Sequence, residues 1–162
     1  MHTKHLLVLL ILLLVSACAP FAAGGSNVTF PDSIVKNYIE TANTGDFDKT
    51  FAFYADDAIV QLPDGRTFTG KEEIAKWLQV DVKSTRSDPK NFSVSDDTVT
   101  VYGTVTLARF EPLGINPIEY EMTVVVKNDK ITSFMPKLKF TPEQQAKIAA
   151  AAQVAPSATA TP

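Results

Sequence analysis

The chain has 162 residues, with 15 Lys or Arg against 18 Asp or Glu and a formal net charge of −3 at pH 7. It contains no basic block or stripe, and because Lys and Arg dominate phosphate binding, we expect no nucleic-acid partner. A chain of this length suits one domain with an ordinary hydrophobic core.

The N-terminal stretch "MHTKHLLVLLILLLVSAC" predicts a signal peptide over residues 1–17. Lys4 precedes an apolar run from Leu6 to Val15, which is too short to cross a bilayer of about 30 Å as a helix. The small residues before Cys18 resemble the lipobox of bacterial lipoproteins, a family in which the signal is cut before the cysteine and the thiol is acylated. That resemblance implies an exported protein that is lipid-anchored to a bacterial membrane, with its domain outside the cytoplasm. The alternative is a plain secretion signal or a short anchor, with Cys18 incidental.

Removal of the leader would exclude several kinds of catalytic and metal site. His2 and His5 are the only histidines and both lie in the leader, while the only cysteine, Cys18, would be blocked by lipid. The mature chain would then lack a Ser-His or Cys-His nucleophile pair, a His- or Cys-based zinc site and a disulfide. We therefore expect no metal and no cofactor.

The segments that flank the domain have the composition of linkers. Residues 18–31 are small and without apolar periodicity, which predicts a lipidated cysteine followed by a flexible tether with a reach of about 20 Å. The domain itself is predicted over residues 32–140. An Ala-rich helix over 141–153 offers little apolar surface and should dock weakly, and residues 154–162 are predicted to be disordered.

The first part of the domain shows helical periodicity. Asp32 or Ser33 can cap a first helix, which Gly45 can end in a left-handed conformation. Asp46 can cap a second helix whose apolar face comprises Phe47, Phe51, Tyr54 and Ala55.

A short hairpin and a third helix should follow. The stretch "AIVQL" predicts a strand, "PDG" a turn and "RTF" a returning strand. A third helix is predicted from about Gly70 to Leu78, with its apolar side facing inward: Ile74, Trp77 and Leu78.

Residues from Phe92 to Phe140 change to the period of β-strands. "TVTVYGTVTLARF" and "IEYEMTVVV" alternate between two faces, and "KITSFMPKLKF" follows a "KND" turn. Gly103 lies within the first of these strands and predicts a bulge or a sharp bend. The predicted fold class is α+β, with a cone-shaped, strongly curved antiparallel sheet packed against about three N-terminal helices. A pocket would lie inside the cone.

The stretch "YIETANTGDFDKTFAFYADDAIVQLPDGRTFTGKEEIAKW" resembles the nuclear transport factor two-like superfamily, which includes SnoaL-like polyketide cyclases and ketosteroid isomerases. The shared pattern is a helix, a Gly-Asp junction, "YADDA", a strand that ends in Pro, an Asp-Gly turn and "GKEEI" at the start of a helix. The resemblance covers about residues 32–140. It implies the fold and says little about function, because this fold hosts enzymes, binding proteins and dimerisation modules.

The resemblance to ketosteroid isomerases implies specific catalytic positions. Tyr38 falls at the family's oxyanion tyrosine and Tyr54 at a supporting tyrosine. The position of the base is Leu62, and the second acid position falls at about Met122. Both carboxylates are replaced by apolar side chains, so we expect no catalytic residue.

The remaining acids are interpreted as structural. Asp56 and Asp57 lie at a helix-to-strand junction and Asp64 lies in a turn. Glu119 and Glu121 alternate away from Met122 and should point outward, toward solvent or a partner subunit. The strand faces that should point inward carry no His and no Asp, so we expect the cone to lack an acid/base residue.

The leading hypothesis is non-catalytic binding of a small apolar ligand or a protein partner by a membrane-tethered domain. The ligand pocket would be lined by Tyr38, Tyr54, Leu62, Trp77, Tyr120, Met122 and Phe134. These aromatic residues could equally be closely packed core. The alternatives are an isomerase-, dehydratase- or cyclase-type enzyme with a relocated acid/base group, and an interaction module that forms a homodimer through the outer face of the sheet.

Overall fold

The computed structural model describes residues 30–154. The predicted signal peptide, Cys18, most of the tether and the C-terminal tail lie outside the described residues. Between Phe30 and Val154, no helix is both long enough and apolar enough to cross a membrane.

Four α-helices, one 3-10 helix and six strands make up the described residues. The helices are α1 (Pro31–Thr44), α2 (Phe47–Phe51), α3 (Gly70–Ser84) and, at the C-terminal end, α4 (Pro142–Val154), with one 3-10 helix (Ala108–Leu113) between strands. The strands are β1 (Tyr54–Gln61), β2 (Thr67–Thr69), β3 (Thr85–Ser95), β4 (Thr98–Leu107), β5 (Ile118–Lys127) and β6 (Lys130–Lys139).

The strands form one curved, unclosed sheet in the order β2-β1-β6-β5-β4-β3, which confirms the predicted α+β class. All neighbouring pairs are antiparallel except β1 and β6, which are parallel. A parallel pair needs a long crossover connection, and here the chain from β2 through β5 provides it. The sequence pattern of the separate strands could not show this pairing.

The first two helices begin and end close to their predicted signals. Helix α1 begins at Pro31, where the fixed φ of proline suits a first helical position, and neither Asp32 nor Ser33 is its cap. Gly45 ends the helix in the left-handed conformation, with φ of 79°. Asp46 caps α2 by accepting a hydrogen bond of 3.1 Å from the backbone N–H of Lys49.

The predicted second helix is too long. Helix α2 ends at Phe51, and Tyr54 belongs to β1. The prediction of a Tyr54-bearing helix face was wrong because a helical spacing of aromatic residues also fits the end of a helix followed by a strand. Tyr54 pairs with Ile131 of β6 at the point where β1 enters the sheet.

Helix α3 extends about six residues beyond its predicted end at Leu78. Ile74, Leu78 and Val82 are buried at a spacing of four, so the same face continues to pack along the sheet. The strand β3 follows directly, and Pro89 lies in it at the edge of the sheet, where a missing N–H costs no inner hydrogen bond.

The core lies between one face of the sheet and helices α1 and α3. As the alternation predicts, Val99, Val101 and Val105 of β4 are buried. On β5 the buried residues are Ile118, Tyr120, Met122, Val124 and Val126. Glu119 is exposed and Glu121 is only half-buried, where it pairs with Lys139 at 2.8 Å.

Helix α4 contacts the domain through few side chains. Thr141 and Gln144 form a reciprocal capping pair, with distances of 2.9 and 3.2 Å. The Gln144 amide also donates to the backbone carbonyls of Ile115 and Pro117, at 2.6 and 3.1 Å. From Pro142 to Gln153 the helix buries no residue fully.

Candidate functional site

A cavity of about 550 Å³ opens between α3, the β1–β2 turn and the inner face of the sheet. Helix α3 contributes Trp77 and Asp81 to its wall, and β6 contributes Phe134. The larger apolar side chains of the wall are Leu62, Phe68, Trp77, Val105, Leu107, Met122, Phe134 and Leu138. The cone is therefore hollow on this side.

Aromatic rings form one end of the apolar wall. Phe68 and Trp77 stack with ring centroids 5.9 Å apart and an interplanar angle of 21°. Trp77 also lies 6.0 Å from the ring of Phe134, at a tilted angle. Such a wall presents flat apolar faces to a bound molecule.

Five of the seven residues predicted for the pocket line this cavity: Leu62, Trp77, Tyr120, Met122 and Phe134. Tyr38 and Tyr54 do not belong to its lining. They lie behind Phe134, with ring centroids 5.6 and 6.4 Å from it. For these two residues the structure favours the interpretation as packed core.

The two tyrosines behind the wall bond to each other. Their hydroxyl oxygens are 2.8 Å apart and both side chains are buried. Burial raises the pKa of both Tyr38 and Tyr54, and the nearby negative charge of Asp81 raises both further. Neither hydroxyl is presented to the cavity as an oxyanion donor would have to be.

Apolar side chains occupy the two carboxylate positions that the resemblance identifies. Leu62 and Met122 both line the cavity. The chemistry of ketosteroid isomerisation needs a carboxylate base at the first of these positions, and the structure holds a hydrocarbon side chain there.

Asp81 is the site residue that the sequence analysis missed. It lines the cavity one helical turn after Trp77, and the Thr85 hydroxyl lies 3.1 Å from its Oδ1. Burial raises the pKa of the Asp81 carboxyl, while the hydrogen bond from Thr85 and the positive charge of Arg109 act in the opposite direction. Asp81 lies on a helix and not on an inward strand face, but the expectation that no acid is buried deeply enough in the cone to have a raised pKa is wrong.

The reason for this error is the predicted end of the third helix. With an end at Leu78, Asp81 falls in a connecting segment, whereas the observed helix continues to Ser84. The signal was available in the spacing, because Trp77 and Asp81 are four residues apart and Val82 continues the apolar series of Ile74 and Leu78.

Charged side chains surround the mouth of the cavity. Arg66 pairs with Asp64 at 2.8 Å, and this contact holds the pKa of the exposed Asp64 carboxyl below its usual value. Lys76 pairs with Glu72 at 3.0 Å. Arg109 forms no ion pair within residues 30–154, and its guanidinium lies 4.9 Å from the centre of the Phe110 ring.

The hydroxyl of Tyr120 is a further polar group in the wall. It is buried and has no hydrogen-bond partner among the side chains and backbone groups of the described region. Burial and the charge of Asp88 raise its pKa to about 12. The hydroxyl is therefore neutral throughout the physiological pH range.

Residues 30–154 contain no group of three or more His, Cys, Asp or Glu that could hold a metal ion. Among the residues that line the cavity, the carboxylates are Asp81 and the exposed Asp64 of the β1–β2 turn. The arrangement is an apolar cavity with one inward carboxylate and a charged rim.

The structure is similar to several solved proteins. Their sequence identities to this chain are low, so the similarity shows a shared fold alone. A protein from Sinorhizobium meliloti, named as a candidate polyketide cyclase, has 24% identity and a TM-score of 0.58, covering 67% of this chain and 95% of its own. A candidate ketosteroid isomerase from Kribbella flavida has 14% identity and a TM-score of 0.59, covering 68% and 78%.

A third similar structure is the orange carotenoid protein of Anabaena in complex with canthaxanthin. It has 23% identity and a TM-score of 0.59, and the match covers 69% of this chain and 38% of that protein. No curated protein matches the chain. The model of the SnoaL-like domain family, however, matches residues 35–134, which is more than half of the chain. The chain therefore belongs to the SnoaL-like domain family.

Proposed function

We propose that the domain binds a small, largely apolar molecule in the cavity that Trp77 and Phe134 help to line. The observation that carries the proposal is the preformed cavity of about 550 Å³, within the range of about 300–1,000 Å³ typical of small-molecule sites. Its wall is mainly aliphatic and aromatic, so burial of apolar ligand surface supplies the driving force. A canthaxanthin-binding protein with the same fold supports the capacity of this scaffold for such a ligand.

The proposal includes a lipid anchor at Cys18 and a location outside the cytoplasm. Its support is the short apolar leader that ends in Ser16 and Ala17 directly before the single cysteine. A tether with a reach of about 20 Å would keep the cavity close to the membrane, where apolar molecules concentrate. Anchoring at a membrane is therefore compatible with binding of apolar molecules by the same chain.

The proposed role is binding without catalysis. Leu62 and Met122 supply no base, and the Tyr38 hydroxyl is bonded to Tyr54 behind the wall. We expect no measurable isomerisation of a β,γ-unsaturated ketosteroid by the purified protein, measured as absence of the absorbance of the conjugated product. Robust activity would contradict the proposed role.

Asp81 favours a second candidate function, an enzyme that transfers a proton within the cavity. A partly buried carboxyl with a raised pKa is typical of acid/base residues, although structural carboxyls have the same property. The two candidates differ in the expected effect of Asp81→Asn. A binding protein would turn over no ligand before or after the change, whereas an enzyme would lose turnover and keep binding.

Binding can be tested with the segment from Ala19 to Pro162, which contains every described element. The solved relative from Sinorhizobium meliloti consists almost wholly of the matched region, which supports independent folding of this segment. The neutral probe N-phenyl-1-naphthylamine, whose fluorescence rises in apolar surroundings, should bind saturably. Leu138→Trp should weaken that binding at least tenfold by filling the cavity.

The matched control is Val94→Trp, which adds the same ring to an exposed position on β3 that is not part of the cavity lining. It should leave probe binding unchanged. No saturable binding to the unmodified segment, or equal loss in both variants, would overturn the proposal.

A further inference from the structure

Two carboxylates line the cavity, and only Asp81 is placed to receive a ligand group inside it. Asp64 is exposed in the β1–β2 turn, where Arg66 contacts it through two side-chain nitrogens at 2.8 and 2.9 Å. Asp81 projects from α3 beside the aromatic part of the wall. Of the two carboxylates, Asp81 is therefore the one that a polar group of an apolar ligand can reach inside the cavity.

The hydrogen-bonding capacity of the Asp81 side chain is largely unused. Its two oxygens can accept about four hydrogen bonds, and within residues 30–154 it receives one, from the Thr85 hydroxyl. Because the carboxyl is also partly withdrawn from water, an additional donor would be favourable. Within the described residues, no lining side chain other than Thr85 donates to this carboxylate, so a ligand group can supply the further donor.

The charges around the cavity select between the two common kinds of donor, an ammonium and a hydroxyl. Arg66 and Lys76 are compensated by Asp64 and Glu72, whereas Arg109 forms no ion pair within residues 30–154 and is close enough to Asp81 to lower its pKa. This charge disfavours a cationic ligand. A neutral hydroxyl can approach Asp81 without that repulsion.

We infer that the cavity selects apolar molecules that carry a hydroxyl group, and that Asp81 accepts the hydrogen bond from this hydroxyl. The inference rests on the proposed binding function and adds the chemical class of the ligand. The apolar body of the molecule packs on Trp77, Phe68 and Phe134, and the hydroxyl lies at the Asp81 end of the cavity. Asp81 thus determines specificity, while the aromatic wall supplies most of the affinity.

The test compares 2-naphthol with 2-methylnaphthalene, two bicyclic probes of similar shape that differ in the hydroxyl. Their affinities for the segment from Ala19 to Pro162 are measured by isothermal titration calorimetry near neutral pH. We expect 2-naphthol to bind about tenfold more tightly, which is the range of one hydrogen bond to a charged acceptor. A third probe, 2-naphthylmethylamine, is cationic under these conditions and should bind more weakly than 2-naphthol.

Two variants assign the preference to Asp81. Asp81→Leu should reduce the ratio of the two affinities to about one while 2-methylnaphthalene still binds. Asp81→Asn keeps an acceptor for Thr85 without the charge, and should give a smaller ratio than the unmodified segment. Asp56→Asn changes an exposed carboxyl of β1 that is not part of the cavity lining, so it is the control and should leave the ratio unchanged.

The outcomes separate the inference from the function on which it rests. Equal binding of both probes to the unmodified segment, an undiminished preference in Asp81→Leu, or tighter binding of the ammonium probe would overturn the hydroxyl inference alone. Failure of all three probes and of N-phenyl-1-naphthylamine to bind would overturn the proposed function as well.

Discussion

At the scale of single residues, Asp81 combines a place in the cavity wall with an unfavourable charge. Burial raises the pKa of its carboxyl above the usual value of 3.8, so the ionised form is penalised in the folded state. The stability that this group contributes is fully present below the unfolded pKa and is lost as the pH rises through the folded pKa. The protein therefore carries a stability cost at neutral pH at the position proposed to recognise the ligand.

Asp81→Asn should raise the melting temperature at neutral pH by a few degrees, because the amide avoids the buried charge and can still accept from Thr85. Below pH 3.8 the gain should disappear, since the carboxyl is then protonated in both states. Thermal unfolding of both proteins across this pH range measures the difference.

Asp64→Asn serves as the contrast for this measurement. The pKa of Asp64 is lowered by its contact with Arg66, so its contribution to stability is present above the unfolded pKa and is lost on acidification. This variant should show no gain at neutral pH. An Asp81→Asn gain that is equally large in acid would contradict the electrostatic explanation.

A second prediction at the scale of residues concerns the stability that the Tyr38–Tyr54 hydrogen bond contributes. Tyr38→Phe leaves the buried Tyr54 hydroxyl without the partner that lies 2.8 Å away, which should cost about 1–3 kcal/mol of unfolding free energy. Replacing both tyrosines by Phe removes donor and acceptor together. The double variant should therefore lose less stability than the sum of the single variants, as measured by urea denaturation. Strictly additive losses would show that the two hydroxyls are not coupled.

At the scale of elements, the pairing of β3 with β4 depends on a close backbone contact at Gly103. Gly103 lies opposite Pro89, and the register shifts between Pro89 and Asn91, so the bulge is on β3. A Cβ added at Gly103 would clash with the Asp88 carbonyl oxygen and lie 2.9 Å from the Pro89 Cα. The sequence predicted an irregularity at Gly103, and its physical cause is this approach of the neighbouring strand.

Gly103→Ala should destabilise the domain by about 1–3 kcal/mol or more, because the clashing atoms are backbone and cannot rotate away. Gly103 is also in register with Tyr120 of the cavity wall, so the loss of stability should be accompanied by weaker probe binding. Thr104→Ala, at the next position of β4, is the control and should cost less. A Gly103→Ala protein as stable as that control would contradict the close contact.

At the scale of the whole molecule, the hypothesis is that a lipid on Cys18 holds the domain with its cavity at a bacterial membrane. We expect the intact chain to fractionate with bacterial membranes, and Cys18→Ser to release the domain or to accumulate as an uncleaved precursor. Immunoblotting of membrane and soluble fractions, together with N-terminal sequencing, measures both effects. Ser26→Ala, within the predicted tether, should change neither. Unchanged fractionation and processing in Cys18→Ser would rule out the lipoprotein hypothesis.

The sequence by itself was sufficient to predict the features that depend on interactions between residues close together in the chain. Alternation along β4 and β5 predicted their buried faces, because successive side chains of a strand point to opposite sides. Gly45 and Asp46 marked the junction between two helices, since a left-handed cap and a side-chain cap are both local. The motif around "YADDAIVQLPDG" was also sufficient to predict the fold family.

Only the tertiary structure decided which residues face the cavity. Tyr38, Tyr54 and Phe134 are all aromatic residues of the kind that line ligand pockets. The two tyrosines nevertheless pack behind Phe134, because helix α1 and strand β1 meet there. From the sequence alone, Asp81 is interpreted as an exposed acidic residue. The sheet and the 3-10 helix enclose it, because α3 continues to Ser84. The parallel pairing of β1 with β6 and the hollow cone likewise arise from contacts between segments far apart in the chain, which local periodicity does not encode.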